Sequence, residues 1–216
     1  MIKRCLFVIV ILVGQGLCMN QDTVRANTSN LSTRKVQSVH IEEFGVYNVL
    51  AEISQKAHVP VGVDAIQPER GSTIVLDFLG GTVADLLNTF VSQVPDYGWE
   101  ETSGGIIHVF RRDLHVAFLD VPMSYLGAAK KTRREIWEDL GKRPELLLWL
   151  KSNNCSRGEL FNGHEFKEHN DAITVAAGTL TLGQLLDEVA VKSGVDYWAV
   201  LQSAPTTSCR VDIILW

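Results

Sequence analysis

Residues 72 to 110 read STIVLDFLGGTVADLLNTFVSQVPDYGWEETSGGIIHVF, an order of strand, turn, helix and two further strands. Apolar residues recur at intervals of three and four between Val83 and Val94, which predicts an amphipathic helix. Thr82 and Asp85 are a near match to a capping box at its start, and Pro95 ends it. The stretch therefore predicts a helix that packs against strands on either side of it.

A second stretch repeats this order. Residues 171 to 200 read DAITVAAGTLTLGQLLDEVAVKSGVDYWAV, and CRVDIILW follows as a last strand. Thr181 stands where Thr82 stands, and Tyr197 is taken as the counterpart of Tyr97. Two copies are too few for a solenoid, so the repeat predicts paired small domains or one duplicated domain.

The whole chain is predicted to have an α+β fold made of two related β-α-β-β-α-β units. The first covers residues 38 to 112, and the second covers residues 113 to 216 with an inserted helical segment. In that segment a helix through residues 124 to 140 precedes a shorter one from Glu145 to Lys151. Residues 19 to 37 are rich in Asn, Ser and Thr, which predicts a flexible linker.

The N-terminus carries the features of a secretory signal peptide. Lys3 and Arg4 precede an apolar run that is followed by small residues, the order of regions in such signals. The signal is predicted to cover residues 1 to 18, or alternatively residues 1 to 26. The run is shorter than the about 20 residues of a membrane span, and an uncleaved anchor is the alternative. We therefore expect an exported chain, periplasmic or secreted, that meets a membrane only through an uncleaved N-terminal segment.

Composition and charge narrow the function classes. The chain is 46% hydrophobic and 21% charged, which is ordinary for a globular protein. Its formal net charge is −5, whereas nucleic-acid binding by counterion release needs a basic face. The sequence thus argues against a nucleic-acid partner, and it predicts neither a cofactor nor a catalytic residue.

Two cysteines remain if the signal is removed, Cys155 and Cys209. In an exported chain an even pair is a candidate disulfide. Such a cross-link stabilises a fold by about 3 to 4 kcal/mol on the loop-entropy account. The alternative is two separate buried thiols, because the sequence gives no distance between them.

The segment HEFKEH is the group of residues that most suggests a metal. It contains His164, Glu165, Glu168 and His169. The helical zinc signature places its two His four residues apart, whereas these are five apart. On a helix this spacing separates the side chains by about 140°, which disfavours shared ligation. We expect solvated side chains and no metal site, with an exported metal-dependent hydrolase as the alternative.

Four basic residues form the candidate partner-binding group: Lys130, Lys131, Arg133 and Arg134. They lie in the predicted helix through residues 124 to 140, and acidic residues follow them. The functional interpretation is a docking face for an acidic protein or for lipid headgroups. The alternative is a solvated helix face that is laced by pairs four residues apart.

His108 lies in the last strand of the first unit. Alternation places it on the opposite face from Ile107 and Val109. No Ser or Cys nucleophile accompanies it in the sequence. We therefore expect an exposed histidine on the outer face of the sheet and not a catalytic base.

Three stretches of the first unit carry a family resemblance. They are VLAEISQKAHVPVGVD at residues 49 to 64, IVLDFLGGTVADLLNTFV at residues 74 to 91, and an aromatic strand before a GG turn and IIHVF. With these, residues 38 to 112 resemble the short N-terminal domain shared by secretins and TonB-dependent receptors. The second unit extends the resemblance in part.

The resemblance implies an exported, non-catalytic protein-interaction module of the bacterial cell envelope. Its partner would be an inner-membrane or periplasmic protein whose identity the sequence does not give. Exposed sheet edges offer a mechanism, because an extended partner segment can add to a sheet as a further strand. The alternative is a structural protein that binds cell wall or polysaccharide through exposed aromatic side chains.

Overall fold

The computed structural model describes residues 30–67, 72–125, 127–162, 172–194, 197–203 and 209–215. The predicted signal peptide, most of the predicted linker and the HEFKEH segment lie outside these ranges. Within the ranges, none of the helices has the length and hydrophobicity to cross a membrane.

The first unit combines two helices with two two-stranded sheets and a set of three further strands. Its strands are β1 (Lys35–Val36), β2 (Val39–Phe44), β3 (Val61–Gln67), β4 (Thr73–Phe78), β5 (Gly81–Thr82), β6 (Tyr97–Glu101) and β7 (Ile107–Arg111), and its helices are α1 (Val46–Ala57) and α2 (Val83–Gln93). β1 pairs with β5 and β2 with β4, both antiparallel. β3 lies parallel to β7, and β6 lies antiparallel to β7.

The second unit repeats this pairing strand by strand. Its strands are β8 (Pro122–Tyr125), β9 (Ala128–Lys131), β10 (Cys155–Asn162), β11 (Ile173–Val175), β12 (Gly178–Thr181), β13 (Tyr197–Ser203) and β14 (Cys209–Leu215), and its helices are α3 (Arg133–Leu140), α4 (Pro144–Ser152) and α5 (Leu182–Ser193). β8 pairs with β12 and β9 with β11, both antiparallel. β10 lies parallel to β14, and β13 antiparallel to it. The chain has the predicted α+β fold.

The helical segment of the second unit differs from the prediction in its first part. Of the residues predicted as helix, 124 and 125 end β8, 128 to 131 form β9, and α3 begins only at Arg133. Gly127 between the two strands has φ 86°, a conformation that suits glycine and not a helix. Thr132 then caps α3 through a capping box with Glu135. α3 and α4 lie between β9 and β10, the place that α1 takes between β2 and β3.

One six-stranded sheet joins the two units, in the order β10-β14-β13-β3-β7-β6. The joint is the parallel pairing of β13 with β3, which runs from Tyr197 opposite Val61 to Ser203 opposite Gln67. The buried residues of α1 and α2 belong to one core and those of α3, α4 and α5 to another. The helices of the two units therefore cover opposite faces of one continuous sheet.

Strand β13 contributes to both cores because successive side chains point to opposite faces. Tyr197, Ala199 and Leu201 lie in the core of the first unit. Trp198 and Val200 lie in the core of the second. All five side chains are at most 2% exposed, so β13 is the strand on which both halves of the molecule pack.

Residues 30 to 37 are ordered, which differs from the flexible linker that their composition predicts. Leu31–Thr33 forms a 3-10 helix, and β1 follows it. Leu31 and Val36 are buried in the core of the first unit. The Glu101 carboxylate accepts hydrogen bonds from the main-chain N–H groups of Leu31 and Ser32 at 2.7 and 3.0 Å. Two apolar side chains and one carboxylate thus hold this polar segment.

A disulfide joins Cys155 and Cys209, as the sequence predicts. The two residues are direct neighbours where β10 and β14 begin to pair, with 4.5 Å between their Cα atoms. The bond closes a loop that contains α5 and β13. On the loop-entropy account it stabilises the second unit by about 3 to 4 kcal/mol.

Candidate functional site

A cavity of about 320 Å³ lies where the two units meet. Its floor is the face of β3 and β7 that α1 and α2 do not cover, and its wall is the first half of α5. Its polar lining residues are Asp64, Glu100, His108, His115, Asp120, Thr181, Gln184 and Asp187. Four carboxylates and two imidazoles give this lining an acidic character.

Asp187 connects the units at the wall of the cavity. Trp198 Nε1 donates a hydrogen bond to Asp187 Oδ1 at 2.9 Å. His108 Nε2 lies 2.8 and 2.9 Å from the two carboxylate oxygens of Asp187, with Nε2 as the donor because an ionised carboxylate only accepts. The rings of His108 and Trp198 also meet edge to face at a centroid distance of 5.5 Å. A residue of the first unit is thereby bonded to the second.

The expectation for His108 was right about its face and wrong about its surroundings. The side chain points away from Ile107 and Val109, as alternation requires. It is only 27% exposed, because α5 of the second unit covers this face of the sheet. Asp187 lies 79 residues away in sequence, so no local pattern could indicate the contact.

The Trp198–Asp187 pair has a counterpart in the first unit. Trp99 Nε1 donates to Asn88 Oδ1 at 3.1 Å, and both pairs are 11 residues apart. Trp99 is therefore the counterpart of Trp198, and the predicted match of Tyr97 with Tyr197 is wrong by one residue. The second unit carries a carboxylate where the first has an amide, and this carboxylate gives His108 its partner.

Gly62 allows the indole of Trp198 to lie against the sheet. The two residues are direct neighbours in the pairing of β3 with β13. A Cβ atom added at Gly62 would overlap the six-membered ring of Trp198. The residue is glycine for close packing and not for an unusual backbone angle.

His115, Asp64 and Asp120 form a second group of polar side chains that line the cavity. His115 Nδ1 is 3.0 Å from Asp64 Oδ2, and His115 Nε2 is 2.6 Å from Asp120 Oδ2. The Asp64 carboxylate also accepts hydrogen bonds from the main-chain N–H of Val116 at 3.2 and 3.3 Å. These bonds fasten the segment that leaves the first unit onto β3.

The surroundings of this group shift two pKa values. Burial raises the pKa of the Asp64 carboxyl above its usual value, and the Val116 N–H and the charge of His115 offset this only in part. Burial opposes the charge of His115, but the hydrogen bonds and charges of Asp120 and Asp64 outweigh it. The pKa of His115 is therefore raised above 6.5.

The hydrogen bonds of His115 and His108 link residues that are distant in sequence. Both ring nitrogens of His115 are engaged by carboxylates, and His108 uses Nε2 on Asp187. Within the part of the chain that the structure describes, no three His, Cys, Asp or Glu side chains are placed to hold a metal ion. The four residues of the HEFKEH segment lie outside that part.

The four basic candidates are divided between two elements. Lys130 and Lys131 lie on β9, while Arg133 and Arg134 begin α3. Lys131 forms an ion pair with Asp139, and Arg134 bonds Glu138 at 3.1 Å. The prediction of one basic helix is wrong because Gly127 turns the chain into a strand before α3 begins.

Comparisons with known proteins assign no family. No protein-family model matches the chain, and no curated protein is significantly similar to it. Function is therefore argued from the geometry of the described residues.

Asp187→Asn tests the contact between the units. The amide oxygen still accepts from Trp198, as Asn88 does from Trp99, but the carboxylate partner of His108 is lost. We expect the free energy of unfolding to fall by about 1 to 2 kcal/mol, measured by urea denaturation. Asn88→Asp is the matched control and should change it by less than about 0.5 kcal/mol. Equal losses in the two variants would show that His108 adds nothing.

The pH dependence of stability tests the His115 group. A histidine with a raised pKa in the folded state stabilises fully below its unfolded pKa, and this contribution disappears as pH rises through the folded value. We expect the free energy of unfolding to fall as pH increases from about 6.5, and His115→Gln to flatten this slope.

His40→Gln is the control for that slope. Asp77 raises the pKa of His40 through a hydrogen bond and its charge, but both of these side chains are more than 60% exposed, whereas the Asp64 partner of His115 is only 9% exposed. The control should keep most of the slope. A slope that survives in His115→Gln and disappears in His40→Gln would refute the assignment.

Proposed function

We propose that this chain is an exported, non-catalytic protein-interaction module of the bacterial cell envelope. Its units are proposed to be related to the short N-terminal domain of secretins and TonB-dependent receptors. The observation that carries the proposal is the outer edge of the six-stranded sheet, which β6 forms at one end. An open edge can bind an extended segment of another protein as an added strand.

The main chain of β6 is oriented for such binding. Arg112 N–H donates to the Asp96 carbonyl at 2.8 Å, and Thr102 N–H donates to the Ile106 carbonyl at 2.9 Å. Because antiparallel pairing alternates, the main-chain groups of Trp99 and Glu101 point away from β7. No strand of the described residues pairs with them.

The opposite edge, β10, is less suited to an added strand. Its pairing with β14 shifts register between Arg157 and Leu160, an irregularity typical of protected edges. A disulfide also fixes its first residue. The geometry thus favours β6 as the binding edge.

Export is supported by the signal-like N-terminus and by the disulfide, which forms in oxidising compartments. The described tryptophans do not favour the polysaccharide alternative, because Trp137 and Trp198 are 7% and 1% exposed and Trp99 and Trp149 pack against the two cores, although Phe44 is 57% exposed. Such a role needs aromatic faces that are open to solvent. The partner is therefore proposed to be an envelope protein.

The test is photocrosslinking in cells. A photoreactive residue replaces Glu100 on β6 or Ser103 in the turn that follows it, and in the control it replaces Gln93 at the end of α2. We expect one envelope protein, identified by mass spectrometry, in the two edge variants and not in the control. Recovery of the same proteins from all three positions, or of none, would contradict the proposal.

A further inference from the structure

The molecule already contains one example of a strand bound at this kind of edge. β6 and β13 are counterparts, since each pairs antiparallel with the last strand of its unit. Each carries a tryptophan that is bonded to the central helix of its unit, Trp99 to Asn88 and Trp198 to Asp187. In the second unit the outer edge of this strand is occupied, and the occupant is β3 of the first unit.

The occupant shows what the edge accepts. β3 lies parallel to β13 and places Gly62 opposite Trp198. Val61 and Val63 on either side of the glycine point to the opposite face and are buried in the core of their own unit. With a glycine at this position the indole packs over the main chain, and Trp198 is 1% exposed.

Trp99 takes the equivalent position in the first unit, but no described strand lies beside β6 as β3 lies beside β13. It keeps the bond to the helix but is only partly buried, because no described strand lies beside β6. The main-chain groups of Trp99 and Glu101 face the side of β6 on which no described strand pairs. The free edge thus combines unpaired main chain with an indole whose counterpart packs on a glycine.

Building on the proposed function, we propose that β6 binds an extended segment in the parallel direction, with a glycine opposite Trp99. The model for this ligand is Val61-Gly62-Val63. A bulkier residue opposite Trp99 would have to displace the indole from Asn88, as a Cβ atom at Gly62 would displace Trp198.

The charge of the edge adds a second requirement. Glu100 and Glu101 follow Trp99 on β6, where β13 has Ala199 and Val200. Like charges on adjacent strands repel. The two ligand positions after the glycine are therefore neutral or basic, which β3 itself does not satisfy because Asp64 occupies the second of them.

The test uses two labelled peptides and the purified chain. The first peptide has the sequence of residues 59 to 67 with Asp64→Lys, and the second adds Gly62→Val. Binding is measured by fluorescence anisotropy, and the protected amides are located by hydrogen exchange. We expect the valine peptide to bind at least about tenfold more weakly, and the glycine peptide to protect the amides of Trp99 and Glu101.

The Trp99→Val variant, tested with both peptides, completes a double-mutant cycle. Trp99→Val removes the indole that requires a glycine, so the preference for the glycine peptide should fall to about twofold or less. Circular dichroism checks that this variant is folded. If the variant is not folded, hydrogen exchange on the unchanged chain still shows whether the glycine peptide binds at β6.

Three results would overturn the proposal. The peptides bind equally to the unchanged chain, the glycine peptide protects amides elsewhere, or sedimentation shows self-association that protects β6 without peptide. In the last case the occupant is a second copy. If an envelope protein is crosslinked specifically but both peptides bind equally, the proposed envelope role stands and only the preference for glycine is refuted. If the glycine peptide is clearly preferred but no envelope protein is crosslinked, the preference stands and the envelope role is refuted.

Discussion

The parallel pairing of β3 with β13 is the contact on which the architecture depends. It turns two three-stranded sheets into one and places the helices of each unit on opposite faces. The close approach of Trp198 to Gly62 lies in the middle of this pairing. Because β13 is buried on both faces, separating the units would expose side chains of both cores to water.

The cavity and its charged residues follow from that arrangement. A unit that covers only one face of its sheet leaves the other face bare, and α5 covers the bare face of the first unit in part. The uncovered remainder is the cavity of about 320 Å³. His108 with Asp187 and His115 with Asp64 lie on this face, and the buried Asp64 carboxylate needs hydrogen-bond partners because water does not reach it freely.

Much of the fold could be predicted because its signals are local. The spacing of apolar residues indicates α2, and Thr82 and Thr181 with their capping boxes indicate where α2 and α5 begin. The order of elements carried the resemblance to a known domain. The cysteine pair was predicted from its number and the exported context, and pairing geometry places both residues side by side.

The remainder depends on contacts between distant residues. The opposite placement of the helices, the bond from His108 to Asp187 and the role of Gly62 all arise at the joint between units. In the sequence nothing distinguishes Gly62 from other strand glycines, because its role depends on the pairing with Trp198. Residues 128 to 131 show a local failure, since their composition suits a helix and Gly127 changes the direction of the chain. Residues 30 to 37 are a second local failure: their mostly polar composition predicts a linker, but the two apolar residues Leu31 and Val36 are buried in the core.

The most direct test of this account is native-state hydrogen exchange of the purified chain across a series of low denaturant concentrations. If the β3–β13 pairing holds the molecule together, the amides of Val61–Gln67 and Tyr197–Ser203 that bond across the joint exchange slowly. They should share one free energy of opening, equal to that of global unfolding. Exchange at the joint that is much faster than in β7 and β14 would show that the units open independently, and it would contradict the central claim.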